Sequence, residues 1–220
     1  MVTPYDLKQI PLLTHLSDDE LKQLCELLKE RKAPKGSYIL YADDPGPNLM
    51  FITEGKVKIN LIGDDGSEIV LANLDRGDFF GEIAVLTGED RSANVVAMSD
   101  CKLFVLSKAD FESHVLQNTG LTLALCRELA ARLSGASAKI GDLALLDVYR
   151  RIARQLHSLA VPQEVNGQKV LVIESRPTHH ELAAMVGTSR EMVSRAFKGL
   201  EEDGCIEIDG KRVIVHKMPL

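Results

Sequence analysis

Apolar positions change their period three times along the chain. Residues 6–32 read as helical: Ser17 takes the N-cap place, Glu20 completes a capping box three residues later, and Leu21, Leu24, Leu27 and Leu28 make an apolar stripe. From Ser37 to Leu106 the runs are short and broken by Gly, Asp and Pro. Val57, Ile59 and Leu61 alternate with Lys56, Lys58 and Asn60, as in a half-buried strand, and Ile69–Leu74, Val95–Ala97 and Leu103–Leu106 give further strands. Glu54-Gly55, Asp64-Asp65-Gly66 and Asp75-Arg76-Gly77-Asp78 are the turns between them. Many short strands at close spacing predict a jelly roll or barrel.

Beyond Lys108 the period is helical again. Residues 119–145 contain no proline, and their seam positions repeat every seven: Leu123, Ala130, Ser137 and Ala144 at one, Cys126, Leu133 and Ile140 at the other. Such a seam predicts a two-stranded coiled coil and hence a homodimer. Asp147 is placed to cap a helix over Val148–Leu159, and the stretch from Val161 to Lys169, with its Pro, Asn and Gly, reads as a loop. Thr178 to Glu181 form a second capping box, with Leu182, Ala183 and Val186 as the buried stripe of the helix it starts. Gly187 allows a tight turn, Ser189 caps the next helix, and Val193, Ala196, Phe197 and Leu200 face inward there. Ile206, Ile208, Asp209-Gly210, Val213 and Val215 then read as a hairpin. Helix, glycine turn, helix and hairpin make a winged helix-turn-helix. The predicted fold is therefore α+β, divided into a β-roll over 1–117, a dimerisation helix over 118–146 and a winged helix-turn-helix over 147–220.

Charge changes the picture only when the chain is divided. The net charge of −6 argues against a nucleic-acid binder, yet residues 1–117 hold 12 Lys and Arg against 20 Asp and Glu, whereas residues 118–220 hold 14 against 12. The acidic half is a poor partner for phosphate, and the C-terminal half is not. The first twenty residues lack a signal-peptide pattern, and no apolar run approaches the roughly 20 residues of a membrane helix, so a cytoplasmic protein with no membrane partner is expected. Cys25, Cys101, Cys126 and Cys205 lie far apart without a C-x-x-C pair, which predicts reduced thiols rather than a zinc or iron–sulfur site. No nucleophile–base pair, metal cluster or P-loop points to an enzyme.

Two segments carry chemistry. In the second C-terminal helix Arg190, Glu191, Ser194, Arg195 and Lys198 share the outward face, where Arg can pair with guanine O6 and N7 and Glu can accept from cytosine. Thr178, His179 and Ser189 stand close enough in sequence to join that surface on double-stranded DNA, and Arg150, Arg151 and Arg154 form either a backbone-contacting or a merely solvated face. The other histidines read as caps, surface residues or phosphate contacts. In the β-rich half, Phe79-Phe80-Gly81-Glu82-Ile83-Ala84 is followed by Arg91-Ser92-Ala93. Gly81 permits close backbone approach, free N–H groups of a short helix after it suit an anion, Arg91 supplies a fork for phosphate, and Glu82 can accept from sugar hydroxyls. One anion clamp and one hydroxyl clamp suggest a nucleotide monophosphate, although the same two residues would also make an ordinary surface ion pair.

The run Thr188-Ser189-Arg190-Glu191-Met192-Val193-Ser194-Arg195 resembles the recognition helix of the Crp–Fnr family, and Leu143–Val148 resembles that family's hinge. The resemblance implies palindromic half-sites similar to TGTGA, read by Arg190, Glu191 and Arg195, and RNA polymerase as a partner, with the 161–169 loop a contact by family position. It also identifies Gly81–Ala84 with Arg91 and Ser92 as a phosphate-binding cassette, Glu82 holding a ribose 2′-hydroxyl and Arg91 the cyclic phosphate. Ser92 favours cAMP as effector, with no prosthetic group. Where the family has a Thr-Ser pair contacting adenine, this chain has Ala136 and Ser137. That departure keeps cGMP and cyclic di-GMP open, as does a ligand-independent regulator. A nucleotide-binding module acting on a partner protein is the remoter alternative.

Overall fold

The computed structural model describes residues 2–115, 117–165 and 168–216. Contacts divide the chain into two compact units, Met1–Leu61 with Leu71–Ser134, and Ile62–Val70 with Gly135–Leu220.

The first unit begins with α1 (Pro4–Lys8), a 3₁₀ turn (Pro11–Leu13) and α2 (Asp18–Leu27). It continues through β1 (Lys29–Ala33), β2 (Tyr38–Leu40), β3 (Asn48–Glu54), β4 (Val57–Ile62), β5 (Glu68–Leu74), β6 (Phe79–Phe80), α3 (Glu82–Thr87), β7 (Asn94–Ala97), β8 (Cys101–Ser107), the single turn α4 (Lys108–Asp110) and the start of α5 (Thr119–Leu145). The helix expected over 6–32 is thus three short pieces and a strand. Ser17 and Glu20 do form the predicted capping box. Pro11 starts a new turn because it has no N–H to continue a helix. Beyond Leu28 the leucine stripe ends, and Lys29–Ala33 pair antiparallel with β8, from Lys29↔Val105 to Ala33↔Cys101. That pairing is long-range, so local periodicity carries no sign of it.

The strands make two four-stranded sheets, β1-β8-β3-β6 and β2-β7-β4-β5. The first is covered on both faces, and β3 shows how. Leu49 and Phe51 join Phe104, Leu106, Leu21 and Leu24 in a core shared with the N-terminal helices and with Leu121 and Leu125 of α5. Met50 and Ile52 point the other way, to Ile39, Val57, Val95 and Ala97 of the second sheet. Successive side chains of a strand face opposite ways, so a strand between two apolar layers is apolar throughout.

The second unit contains the rest of α5, α6 (Val148–Leu159), β9 (Val161–Val165), β10 (Gln168–Ile173), α7 (His179–Val186), α8 (Arg190–Glu202), β11 (Ile206–Asp209) and β12 (Arg212–Val215). Asp147 caps α6, Thr178 and Glu181 form the capping box of α7, and Ser189 caps α8. Ile152, Leu156, Leu182, Val193, Phe197, Leu200, Ile206 and Val213 fill its core. The sheet runs β11-β12-β10-β9, which corrects the loop expected over 161–169. Pro162 sits opposite Leu171 in β9, an edge strand, where a missing N–H is tolerated. Asn166 and Gly167 of that expected loop lie outside the described residues. Among the described residues no helix is long and apolar enough to cross a membrane.

Candidate functional site

The β-roll brings Gly81, Glu82 and Arg91 together. Arg91 is 4% exposed and Glu82 7%, both unusual for charged residues. The Arg91 guanidinium donates to three backbone carbonyls: Nη1 to Gly81 at 3.1 Å, and Nη2 to Asn48 at 3.1 Å and to Gly46. Its Nε–H is buried with no hydrogen-bond partner among the described residues. Burial pushes the guanidinium below its ordinary pKa, against the opposing pull of Glu82 and Asp44. Gly81 has φ +86°, and a Cβ there would stand 2.6 Å from the Asn48 carbonyl oxygen and 2.7 Å from Arg91 Nη1. Only glycine fits so close to the fork.

Glu82 does not pair with Arg91. Its Oε1 lies 3.2 Å from Nη1 of Arg132, a residue of α5 that the sequence reading did not single out. Arg132 also donates through Nη2 to the Phe79 carbonyl at 2.9 Å and through Nε to Glu128 at 3.1 Å, and it stacks 4.2 Å from the Phe79 ring centroid. The signal available in the sequence was indirect: a carboxylate destined for burial needs a cation. Of the other predicted cassette residues, Ala84 is buried while Ile83 and Ser92 are exposed. Ala136 and Ser137 lie exposed on the part of α5 that belongs to the second unit.

The predicted seam of α5 is exposed along its whole length, from Leu123, Cys126 and Ala130 through Leu133 (69%) and Ser137 to Ile140 (65%) and Ala144.

In the second unit, Ser189, Arg190, Glu191, Ser194, Arg195 and Lys198 form one exposed face of α8, opposite Val193, Ala196, Phe197 and Leu200. Gly187, at φ +67°, closes the turn before it. Thr178 is engaged as the cap of α7. His179 is half-buried: Nδ1 is 2.8 Å from Ser194 Oγ, Nε2 is 3.2 Å from Arg176 Nη1, and its ring packs on Phe197. Burial and then the charges of Arg176 and Arg190 hold His179 below its ordinary pKa, which favours the neutral ring. A neutral ring accepting from Arg176 donates from Nδ1, and Ser194 Oγ in turn lies 3.1 Å from the Arg190 carbonyl. Two residues expected at DNA thus also brace the start of α8, and Arg176 joins them. Hydrogen bonding to its own backbone N–H and to Ser189 holds the Glu191 carboxyl below its ordinary pKa. Arg151, read as a surface cation, instead points inward to backbone carbonyls.

The cyclic nucleotide-binding domain family matches residues 30–118, and the Crp-like helix-turn-helix domain family matches residues 150–220. The chain is 36% identical over 213 residues to the cAMP-activated global transcriptional regulator Vfr of Pseudomonas aeruginosa, covering 93% of this chain and 95% of that one. It is 34% identical to the cAMP-activated global transcriptional regulator CRP of Pasteurella multocida, over 84% of this chain and 88% of that one. Among solved structures, the c-di-GMP responsive global regulator CLP of Xanthomonas campestris superposes with a TM-score of 0.77 at 28% identity, covering 91% of this chain and all of that one. The catabolite activator protein of Thermus thermophilus superposes with a TM-score of 0.56 at 31% identity, over 94% and 93% of the two chains.

Proposed function

Because the chain belongs to the Crp–Fnr family of transcription regulators, we propose that it acts in the cytoplasm as a homodimer whose β-roll pockets bind cAMP and whose paired recognition helices then grip a TGTGA-like palindrome. The observation that carries the effector half is the Arg91 fork: buried, fixed by three carbonyls, and with an Nε–H that has no partner among the described residues. A buried donor without a partner is costly, by about 1–3 kcal/mol, and a phosphate oxygen relieves that cost. Glu82, beside it, suits a ribose hydroxyl, with Gly81, Ile83, Ala84 and Ser92 around the phosphate and Ala136 and Ser137 toward the base.

Work is divided along the chain: 1–117 sense, 118–146 dimerise and 147–220 bind DNA. The exposed apolar seam of α5 is the surface a second copy would cover, since such stripes are seldom left to water. Ligand acts by favouring one of two pre-existing arrangements, through its differential affinity for them. The outward face of α8, Arg190, Glu191, Arg195 and Lys198, supplies base and phosphate contacts, with Thr178, His179, Ser189 and Ser194 at its margin. RNA polymerase is the expected protein partner, meeting the β9–β10 hairpin. Function is by binding alone, with a diffusible effector in place of a prosthetic group.

Two observations favour a second reading, in which cyclic di-GMP is the effector: the likeness to CLP, and Ala136, which offers no hydroxyl to adenine. Calorimetric titration with cAMP, cGMP and cyclic di-GMP, followed by fluorescence anisotropy on a TGTGA–N6–TCACA duplex at fixed salt, separates the two. Tightening of DNA binding by cAMP alone is expected. Tightening by cyclic di-GMP alone transfers the effector role, and indifference to all three leaves a ligand-independent regulator.

A further inference from the structure

Arginines tie α5 to its neighbours at several places, and one of them, Arg151, has no part in either binding surface. Arg132 ties α5 to Glu82. About 14 residues on, roughly 21 Å of helix at 1.5 Å per residue, the Leu146 carbonyl at the end of α5 accepts from Nη1 of Arg151, on α6, at 2.9 Å. The same guanidinium donates through Nε to the Val186 carbonyl at 3.1 Å and through Nη2 to the Gly187 carbonyl at 3.3 Å. Val186 is the last residue of α7 and Gly187 its C-cap. One cation therefore satisfies orphan carbonyls at the C-terminal ends of two helices, where the helix dipole favours positive charge.

Neighbouring contacts make α6 a hub. Arg154 of α6 pairs with Asp142 of α5. The Tyr149 hydroxyl of α6 pairs with Asp203, which ends α8. A Cβ on Gly187 would lie 3.2 Å from Leu143 of α5, so the turn and the long helix are already close. The other links join α6 to one helix each, whereas Arg151 reaches the end of α5 and the turn that aims α8 together.

We propose that Arg151 is the positioning residue that couples the long helix to the helix-turn-helix, so that a displacement of the last turn of α5 is passed to the Gly187 turn and hence to the recognition helix. The proposal rests on the effector-controlled DNA binding inferred above. Lysine keeps the charge, but its three donors radiate from one nitrogen and cannot span the three carbonyls as a planar fork does.

The test is Arg151→Lys, with Arg151→Gln beside it. In the first measurement, DNA affinity is compared with and without saturating cAMP. Unchanged cAMP affinity, with the ratio of the two DNA affinities compressed at least tenfold, is expected. A lost contact that only supports the fold would weaken both DNA affinities alike and leave the ratio intact, and an intact ratio overturns the proposal. The second measurement needs no nucleotide and so stands if the effector assignment fails: native-state amide exchange on the wild type and Arg151→Lys. The last turn of α5 and the Val186–Thr188 turn should open as one unit in the wild type and as two in the variant. Separate opening in the wild type, or joint opening in both, overturns the coupling.

Discussion

The β-roll and the face of α8 both present arginines, and they present them in opposite ways. Arg91 is buried and held by backbone, with one donor left without a partner among the described residues. Arg190 and Arg195 stand exposed on a helix face with no ion pair among the described residues. A buried cation can accept one small anion of the right shape, because its surroundings have already fixed where that anion must lie. Exposed cations suit a long polyanion, which displaces salt ions from them and can be scanned in many registers. The contrast explains how a chain of net charge −6 can serve DNA: the useful charge is a local face, and the acidic remainder lies elsewhere.

Four measurements would break or sharpen this contrast. The largest effect belongs to Arg91→Ala: losing a charged fork of about 1.5–3 kcal/mol per hydrogen bond should weaken cAMP binding about 100-fold or more in a calorimetric titration. DNA affinity without nucleotide should stay as it was. Equal weakening of both would show that the pocket and the DNA face are not separate devices. Next, Arg190→Ala should cost about 1–3 kcal/mol on the palindrome, and much less on a scrambled duplex, measured by anisotropy. Nucleotide affinity should not move. Lys198→Ala should act more weakly and alike on both duplexes, lowering the salt slope by about one. A sequence-dependent loss there would place Lys198 among the base contacts.

The smallest effect is in pH. His179 has its pKa lowered in the folded chain, so the unfolded chain binds the extra proton first. Its contribution to stability is present above the unfolded value of about 6.5 and falls away as pH drops below it. Thermal unfolding from pH 8 to 5 should therefore show a decline below about pH 6.5 that His179→Asn flattens. An unchanged profile would mean that the Arg176–His179–Ser194 chain does not hold the ring neutral.

Local signals were legible, and long-range ones were not. Ser17, Asp147, Thr178 and Ser189 cap the helices their spacing predicted, since a cap is a contact within four residues. The pairing of Lys29–Ala33 with β8 and the edge position of Pro162 depend on residues far away in sequence, and both were misread. The sites divide in the same way. Gly81, Glu82 and Arg91 could be chosen from a short motif, but Arg132 lies 50 residues from its carboxylate, and Arg151 is 35 residues from Val186. Helical position alone leaves such an arginine as a surface cation; its role appears only when the ends of other helices are seen to lack donors.

The crowding at Gly81 also bears on how such a pocket can be inherited. Every amino-acid replacement of a glycine adds at least a Cβ, and here that atom would meet both the Asn48 carbonyl and the Arg91 fork. No gradual series of substitutions leads away from this position, so the anion clamp proposed for it is kept or lost whole. Under the proposed function, drift in ligand preference is left to the exposed positions, Ile83, Ser92, Ala136 and Ser137, where side chains can change size and polarity. A lineage can then exchange one nucleotide base for another over many generations while the phosphate grip stays as it was.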